Sequence, residues 1–238
     1  MKLNGQIVQR EQLTQDDINR MYELMNLHYD GINIVSFKKD LSEKDWVIVL
    51  RNNQNGICGF STQKVLNLNV EGKSVRALFS GDTIIHKDYW GELELPKMWL
   101  KLGLHLLEKY PNELVYWILI TKGYKTYKFL PIYFNDFYPK RGCITPRFEK
   151  NLIDTFGEYK YPDEYDAETG LIRFNGKKDR VKEGIADITE QRLKHPDVKF
   201  FVEKNPGYKQ GDELVCVTQI TTENLSTIAK RFILKGLQ

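Results

Sequence analysis

The sequence predicts an α+β fold: a mixed, mostly antiparallel sheet flanked by helices, with an α/β C-terminal extension. Three observations carry this. Apolar β-type runs and amphipathic segments do not alternate as regular βαβ units. Residues 46–50, 57–70 and 75–86 are three strand-like runs joined by short turns at Asn52-Asn-Gln-Asn-Gly56 and Glu71-Gly72, which reads as an antiparallel meander. Residues 95–109 then form a long amphipathic segment that leads into one more apolar run at 114–120.

In chain order, residues 5–13 suit a first strand. Thr14 is a good helix N-cap, Asp16 and Asp17 suit the first turn, and Ile18, Met21, Tyr22, Leu24, Met25 and Tyr29 recur at helical spacing until Gly31 stops the helix. A short helical piece covers 36–44. In 95–109, Leu95, Met98, Trp99, Leu102, Leu106 and Leu107 share one side, and Pro96 falls in the first turn, where proline is tolerated. Residues 124–133 start as a helix that Pro131 and Pro139 break up.

Residues 141–165 mix helix and loop, 170–176 suit a short strand, and 187–195 a helix. A turn-rich loop at 205–212 leads into a strand at 214–220. Thr222 or Asn224 caps a last helix that carries Leu225, Ile228, Ala229, Phe232 and Ile233. No linker separates residues 1–140 from 141–238, so the second part is expected to pack on the first.

The 238 residues are 41% apolar and 28% charged, an ordinary balance for a globular chain with a sizeable core. Thirty-five basic against 32 acidic residues leave only +3, too weak to argue for nucleic acid without a basic stripe or motif. Cys58, Cys143 and Cys216 lie far apart and are odd in number, so neither a disulfide framework nor a metal site is expected. The N-terminal residues lack an apolar signal core, and no run approaches the ~20 residues that span a bilayer. The expectation is a cytoplasmic, reduced protein without a membrane span, whose sheet edges allow a dimer.

One stretch, Ile84-Ile-His-Lys-Asp-Tyr-Trp-Gly-Glu-Leu-Glu-Leu95, enters a polar turn from a strand and leaves into a helix. Free N–H groups at such a helix start can hold a phosphate. Ile85-His-Lys-Asp-Tyr-Trp-Gly91 resembles the end of the fourth strand in the GNAT superfamily of acyl-CoA N-acyltransferases, where the pattern V-H-P-x-Y-R-G runs into a glycine-rich loop, R/Q-x-x-G-x-G/A. The resemblance covers roughly residues 5–138 and rests on this stretch and the element order. It implies that acyl-CoA binds at Ile84, Ile85, Trp90, Gly91, Glu92, Leu93 and Leu95, with a pantetheine arm passing between two parted strands. It also implies that Tyr127 serves as general acid. The departures are chemical: Trp90 stands for an arginine, Leu93 and Leu95 for glycines, and Glu92 and Glu94 put negative charge where a pyrophosphate would lie. Two donors therefore stay open. One is acyl-pantetheine on an acyl carrier protein. The other is acyl-CoA with its phosphates held by Lys87, Lys97, Lys101, Lys122 or Lys125.

Acyl transfer to an amine needs a base for the amine, a stabiliser for the oxyanion and an acid for the thiolate. Asp82 and His86 lie four apart on one candidate strand, hence on one face, and either suits the base. The structural alternatives are that Asp82 fixes a turn or a backbone amide and that His86 caps the strand end. Tyr127 belongs to a cluster with Tyr124, Tyr133, Phe134, Phe137 and Tyr138, which is equally a core or a binding wall. His28, His105 and His195 lack ligand spacing and read as structural or surface residues. Cys143 after Lys140-Arg141-Gly142 has a basic setting but no nameable partner histidine, which favours direct amine attack.

The aromatic and apolar residues of 114–138 are expected to line a tunnel for a medium or long acyl chain, since each buried methylene contributes roughly 0.8 kcal/mol. The resulting expectation is an N-acyltransferase acting on an amine of a metabolite or peptide side chain, of lysine or ornithine type in specialised metabolism. The competing class is a non-catalytic acyl- or carrier-binding module of the same fold. An open cleft reaching Asp82, His86 or Tyr127 separates the two.

Overall fold

The computed structural model describes residues 2–174, 179–185 and 187–236, with side chains through Phe232. The sequence expectations for Asn175, Gly176 and the Ile233 side chain lie outside the described residues. In chain order the elements are β1 (Asn4–Gln9), α1 (Gln15–His28), β2 (Tyr29–Asp30), α2 (Ile34–Ser42), β3 (Trp46–Arg51), β4 (Ile57–Val70), β5 (Lys73–Ile85), α3 (Glu94–Lys109) and β6 (Leu114–Thr121). Two short helices follow, α4 (Tyr124–Tyr127) and α5 (Phe129–Tyr133), and then α6 (Arg147–Lys160), β7 (Tyr165–Asp166), β8 (Leu171–Ile172) and β9 (Arg180–Val181). The chain ends with α7 (Glu190–Leu193), α8 (Pro196–Lys204), β10 (Glu213–Gln219) and α9 (Thr227–Gly236).

Among the described residues the main sheet runs β1-β3-β4-β5-β6-β10-β8-β7, and β2 pairs with β9 apart from it. The meander is antiparallel as its turns require; β5 and β6 are parallel, and α3 makes the crossover between them. The fold is thus mixed, mostly antiparallel and flanked by helices. One face carries α3, α5, α8 and α9 around Trp99, Trp117, Leu106 and Phe201. The other carries α6 around Phe79, Phe156 and Ile118, and α1 with α2 around Met21, Phe37 and Phe60.

Local signals explain most boundaries. Thr14 Oγ1 accepts from Asp17 N at 3.1 Å while Asp17 Oδ2 accepts from Thr14 N at 3.2 Å, a capping box that starts α1. Asn33 Oδ1 caps α2 by accepting from Val35 N at 2.8 Å. The last helix starts later than Thr222 or Asn224 predicts, because Ser226 Oγ accepts from Ala229 N at 3.2 Å. Asn224 is occupied elsewhere, its side-chain oxygen accepting from Asp136 N at 2.7 Å. The helix expected at 187–195 is one turn. The longer α8 follows it, with His195 as cap and Pro196 in the first position.

Two features place the cleft described next. The register of β4 against β5 shifts between Ser61/Thr83 and Gln63/Ser80, so Gly81 and Asp82 oppose Thr62 alone. Such a bulge bends and twists its strand. The ladder from β5 to β6 ends at Ser80–Leu119, and beyond it the two strands part.

Candidate active site

A cleft of about 930 Å³ opens at this parting and reaches both faces of the sheet. On the α3 side its wall is made by Trp90, Gly91, Glu92, Leu93, Leu95 and Pro96 of the turn and the start of α3, and by Tyr124, Lys125, Lys128, Phe129, Ile132 and Tyr133 after β6. On the α1 side it meets Tyr29, Asp40, Glu43, Lys44, Gly81, Asp82, Lys122, Lys160, Tyr161 and Glu213.

The turn leading to α3 is built as the sequence suggests. His86 Nδ1 accepts from Asp88 N at 3.4 Å, Trp90 Nε1 donates to Ile85 O at 2.9 Å, and Gly91 takes φ +98°, a conformation that favours glycine. Leu93 gives α3 no side-chain cap. No side chain caps the N–H groups of Glu94 and Leu95, and Pro96, third in the helix, has no N–H to offer an anion. Glu94 does not oppose one directly: its carboxylate accepts from Gly5 N of β1 at 3.2 Å and pairs with Lys97 at 3.2 Å. Ile84, Ile85, Trp90, Gly91, Glu92, Leu93 and Leu95 all line the cleft. Of the five lysines considered for phosphate, Lys122 and Lys125 line it, while Lys87, Lys97 and Lys101 do not.

Of the lysines that line the cleft, Lys125 packs on the turn. Its Nζ lies 3.3 Å above the Trp90 ring centroid and donates to Ile185 O at 2.8 Å. Burial, with the Arg192 charge second, lowers its pKa to about 8. The ring and the carbonyl favour the charged form without offsetting the lost hydration.

The α1 half is a lattice of ion pairs. Lys44 meets Asp40 at 2.8 Å, Lys160 meets Glu43 at 2.6 Å, and Lys122 meets Asp179 at 2.6 Å and Glu213 at 3.2 Å. Burial alone would lower the Lys122 pKa; Glu213 and Asp179 outweigh it and raise it. Lys44 reaches in across Gly81, where a Cβ would stand 2.8 Å from Thr62 Oγ1 and 3.3 Å from Lys44 Nζ, so only glycine fits without a shift. Burial raises the pKa of Tyr29 and Tyr161, and both feel the charge of Asp82. Asp82 therefore faces this lattice.

Three residues singled out for chemistry take different places. Asp82 lines the cleft. His86 does not: it caps the turn, with Nδ1 3.6 Å from Asp88 Oδ2. Tyr127 is fully buried among Phe137, Phe200 and Phe201, donates its hydroxyl to Pro139 O at 3.0 Å, and is absent from the cleft wall. Tyr124 and Tyr133 line the cleft in its stead, and burial raises both, Tyr133 to about 12. His28 lines the wall too, its Nδ1 2.8 Å from Leu24 O, which assigns the proton to that nitrogen. Cys143 is exposed. The aromatic residues of 114–138 mostly close a packed core, with Trp117, Tyr127, Phe134 and Phe137 all buried. Lys44, Tyr29, Tyr161 and Glu213 escaped the sequence reading, since no motif joins positions so far apart.

No family model matches the sequence, and no curated protein does. Structural neighbours of the chain are N-acyltransferases at low identity. One is a probable N-acyltransferase of unknown function from Enterococcus faecalis, with 13% identity, TM-score 0.40, and coverage of 52% of this chain and 31% of that one. Another is the GNAT-family N-acetyltransferase YhbS from Escherichia coli in complex with CoA, with 12% identity, TM-score 0.37, and coverage of 54% and 69%. A third is Saccharomyces cerevisiae N-myristoyltransferase with bound myristoyl-CoA, with 10% identity, TM-score 0.40, and coverage of 51% and 30%. The match thus takes in about a third of the first and third of these proteins. Likeness this distant carries neither substrate nor residue roles across.

Proposed function

We propose that this protein is an N-acyltransferase that moves an acyl group from a pantetheine thioester to an amine of a metabolite or peptide. The supporting observation is the through-cleft at the parting of β5 and β6. It meets the uncapped start of α3 on one side and Asp82 on the other. A thioester threaded from the α3 side brings its carbonyl to the parting, where β5 no longer pairs with β6. N–H groups on that edge serve the developing oxyanion. Amine nitrogen attacks the carbonyl carbon, the C–N bond forms, the C–S bond breaks, and Asp82 takes the proton directly or through water. Tyr124 keeps its proton because burial raises its pKa, so it stabilises the leaving thiolate by donating a hydrogen bond.

The open cleft at Asp82 favours this reading over a non-catalytic binding module. The donor is acyl-CoA or an acyl carrier protein. Trp90 and Leu93, 44% and 45% exposed beside the cleft, give a carrier an apolar contact. The acceptor half, with its ion pairs and tyrosines, suits a lysine- or ornithine-type amine. The test is thiol release with acyl-CoA and acyl carrier donors, each with lysine, ornithine, polyamine and peptide acceptors. Acceptor-dependent thiol release supports the reading; binding of a donor with no turnover for any amine favours the module.

A further inference from the structure

We infer that a buried hydrogen-bond chain, Trp117–Ser80–Gln63–Ser61–Thr83, is the positioning device of the site: it holds the β5 bulge from the α3 side and so fixes where Asp82 stands in the cleft. This rests on the acyltransferase reading and goes beyond it by adding residues that act through Asp82. The chain is directional. An indole N–H can only donate, and two of them enter it. Trp117 Nε1 donates to Ser80 Oγ at 2.8 Å, and Trp99 Nε1 to Ser61 Oγ at 3.2 Å. Ser80 Oγ donates to Gln63 Oε1 at 2.7 Å, and Gln63 Nε2 donates to Ser61 Oγ at 2.7 Å. Thr83 Oγ1 lies 2.8 Å from Ser61 Oγ and donates to Gly81 O at 3.2 Å. Ser61 thus accepts twice, and its own proton goes to Thr83. The last bond straddles Asp82 and closes the bulge on itself.

The geometry ties this chain to the bulge. Ser61 and Gln63 lie two apart on β4 and share one face. Ser80 and Thr83 lie three apart on β5, so in an unbroken strand they would point to opposite faces. They reach Gln63 and Ser61 together only because the register shifts between them. The chain is therefore complete in the bulged strand alone, and in that strand Asp82 lines the cleft. Ser61, Gln63, Ser80 and both tryptophans are buried. Apolar side chains of the same shape would cost such a core little, whereas a satisfied polar network specifies a single arrangement. Stability alone does not account for it. Trp99 stands on α3, so the same chain joins the helix behind the donor turn to the strand that carries Asp82.

The experiment compares Gln63→Met, Thr83→Val and Thr83→Ser with Leu152→Val of the α6 layer by thiol release, CoA titration and native-state hydrogen exchange. Gln63→Met removes the central link, and Thr83→Val removes the link to Gly81. In both, kcat should fall about 10–100-fold with CoA affinity unchanged, the mark of a displaced reacting group rather than a lost binding contact. The amides of residues 81–83 should exchange at least about tenfold faster, the worth of one or two hydrogen bonds. Thr83→Ser keeps a hydroxyl and should recover most of both losses. Leu152→Val should lower the urea midpoint without either effect. If Gln63→Met fails to fold, Thr83→Val carries the test, since it trades one hydroxyl for a methyl at a half-buried position. Unchanged kcat or unchanged exchange in Thr83→Val, or a kcat that only follows the urea midpoint through all the variants, overturns the inference and leaves the acyltransferase reading standing. No thiol release from the unsubstituted protein with any amine overturns the reading, and the positioning role with it.

Discussion

Asp82 reaches the cleft because β5 carries one residue more than β4 across the bulge. Before it, Val75, Ala77 and Phe79 point to the α6 face; after it, Ile84 joins the α1 cluster on that same side, so the parity has flipped. An unbroken strand would turn position 82 toward α3. Asp82→Asn keeps the shape and removes the proton acceptor. We expect kcat to fall by about 10²–10⁴ with donor affinity unchanged. Weaker donor binding at constant kcat would instead make Asp82 a positioning group. On the donor side, Lys125 has a pKa of about 8. Only its protonated form attracts a phosphate, and a bound phosphate in turn raises its pKa. Donor affinity should therefore fall as pH rises through about 8, with proton uptake on binding across that same fall, and Lys125→Met should flatten the profile. Titration of CoA on either side of that pH checks this, and a slope that persists in the variant assigns the effect to another group.

Among the elements, α3 positions the donor turn, and its own position is set by β1. A Cβ at Gly5 would lie 2.6 Å from Met98 Cγ and 3.0 Å from Glu94 Cγ, so the close approach of helix to strand needs glycine there. Gly5→Val should cost about 1–3 kcal/mol by overpacking. It should also weaken donor binding more than a variant of equal stability loss in the α6 layer, such as Leu152→Val. Urea unfolding paired with CoA titration reads both, and equal donor affinity in the two variants would sever α3 placement from donor binding. Elements with strong local signals were legible in the sequence: Thr14 and Asp17 start α1, the Asn/Gly turns bound β3, β4 and β5, and the amphipathic stripe gives α3. Of the site, the turn at 84–95 was legible because its residues are contiguous. The flip at Gly81 was not, although a glycine inside a strand is a recognised sign of a bulge. The core position of Tyr127 and the cleft position of Tyr124 were hidden for another reason. Both sit in a four-residue helix, where packing against α8 decides which side faces inward.

At the scale of the molecule, the C-terminal residues complete the sheet rather than lie beside it. Strand β10 pairs with β6 along Leu214–Thr121 to Gln219–Tyr116, and β8 follows on its far side. A chain cut after Lys140 would leave β6, an apolar central strand, as an open edge, and we expect it to aggregate rather than fold. The same junction carries the Lys122 ion pairs. They tie β6 to Asp179 beside β9 and to Glu213 of β10, and the Lys122 ammonium also lies 5.2 Å from the Tyr29 ring centroid at the end of α1. Lys122→Met keeps most of the packing but leaves two carboxylates facing each other without this cation. A lost partner in a buried ion pair costs about 3–5 kcal/mol, far more than an exposed pair of the Lys199–Glu203 kind, where Lys199→Met should change stability by under about 1 kcal/mol. Because β10 lies inside the sheet, this loss should shift one cooperative urea transition for the whole chain, seen alike by fluorescence of the four tryptophans, Trp46, Trp90, Trp99 and Trp117, and by far-UV circular dichroism. Two separate transitions, with only the later residues released by the substitution, would show instead that residues 1–140 hold their own core without β10.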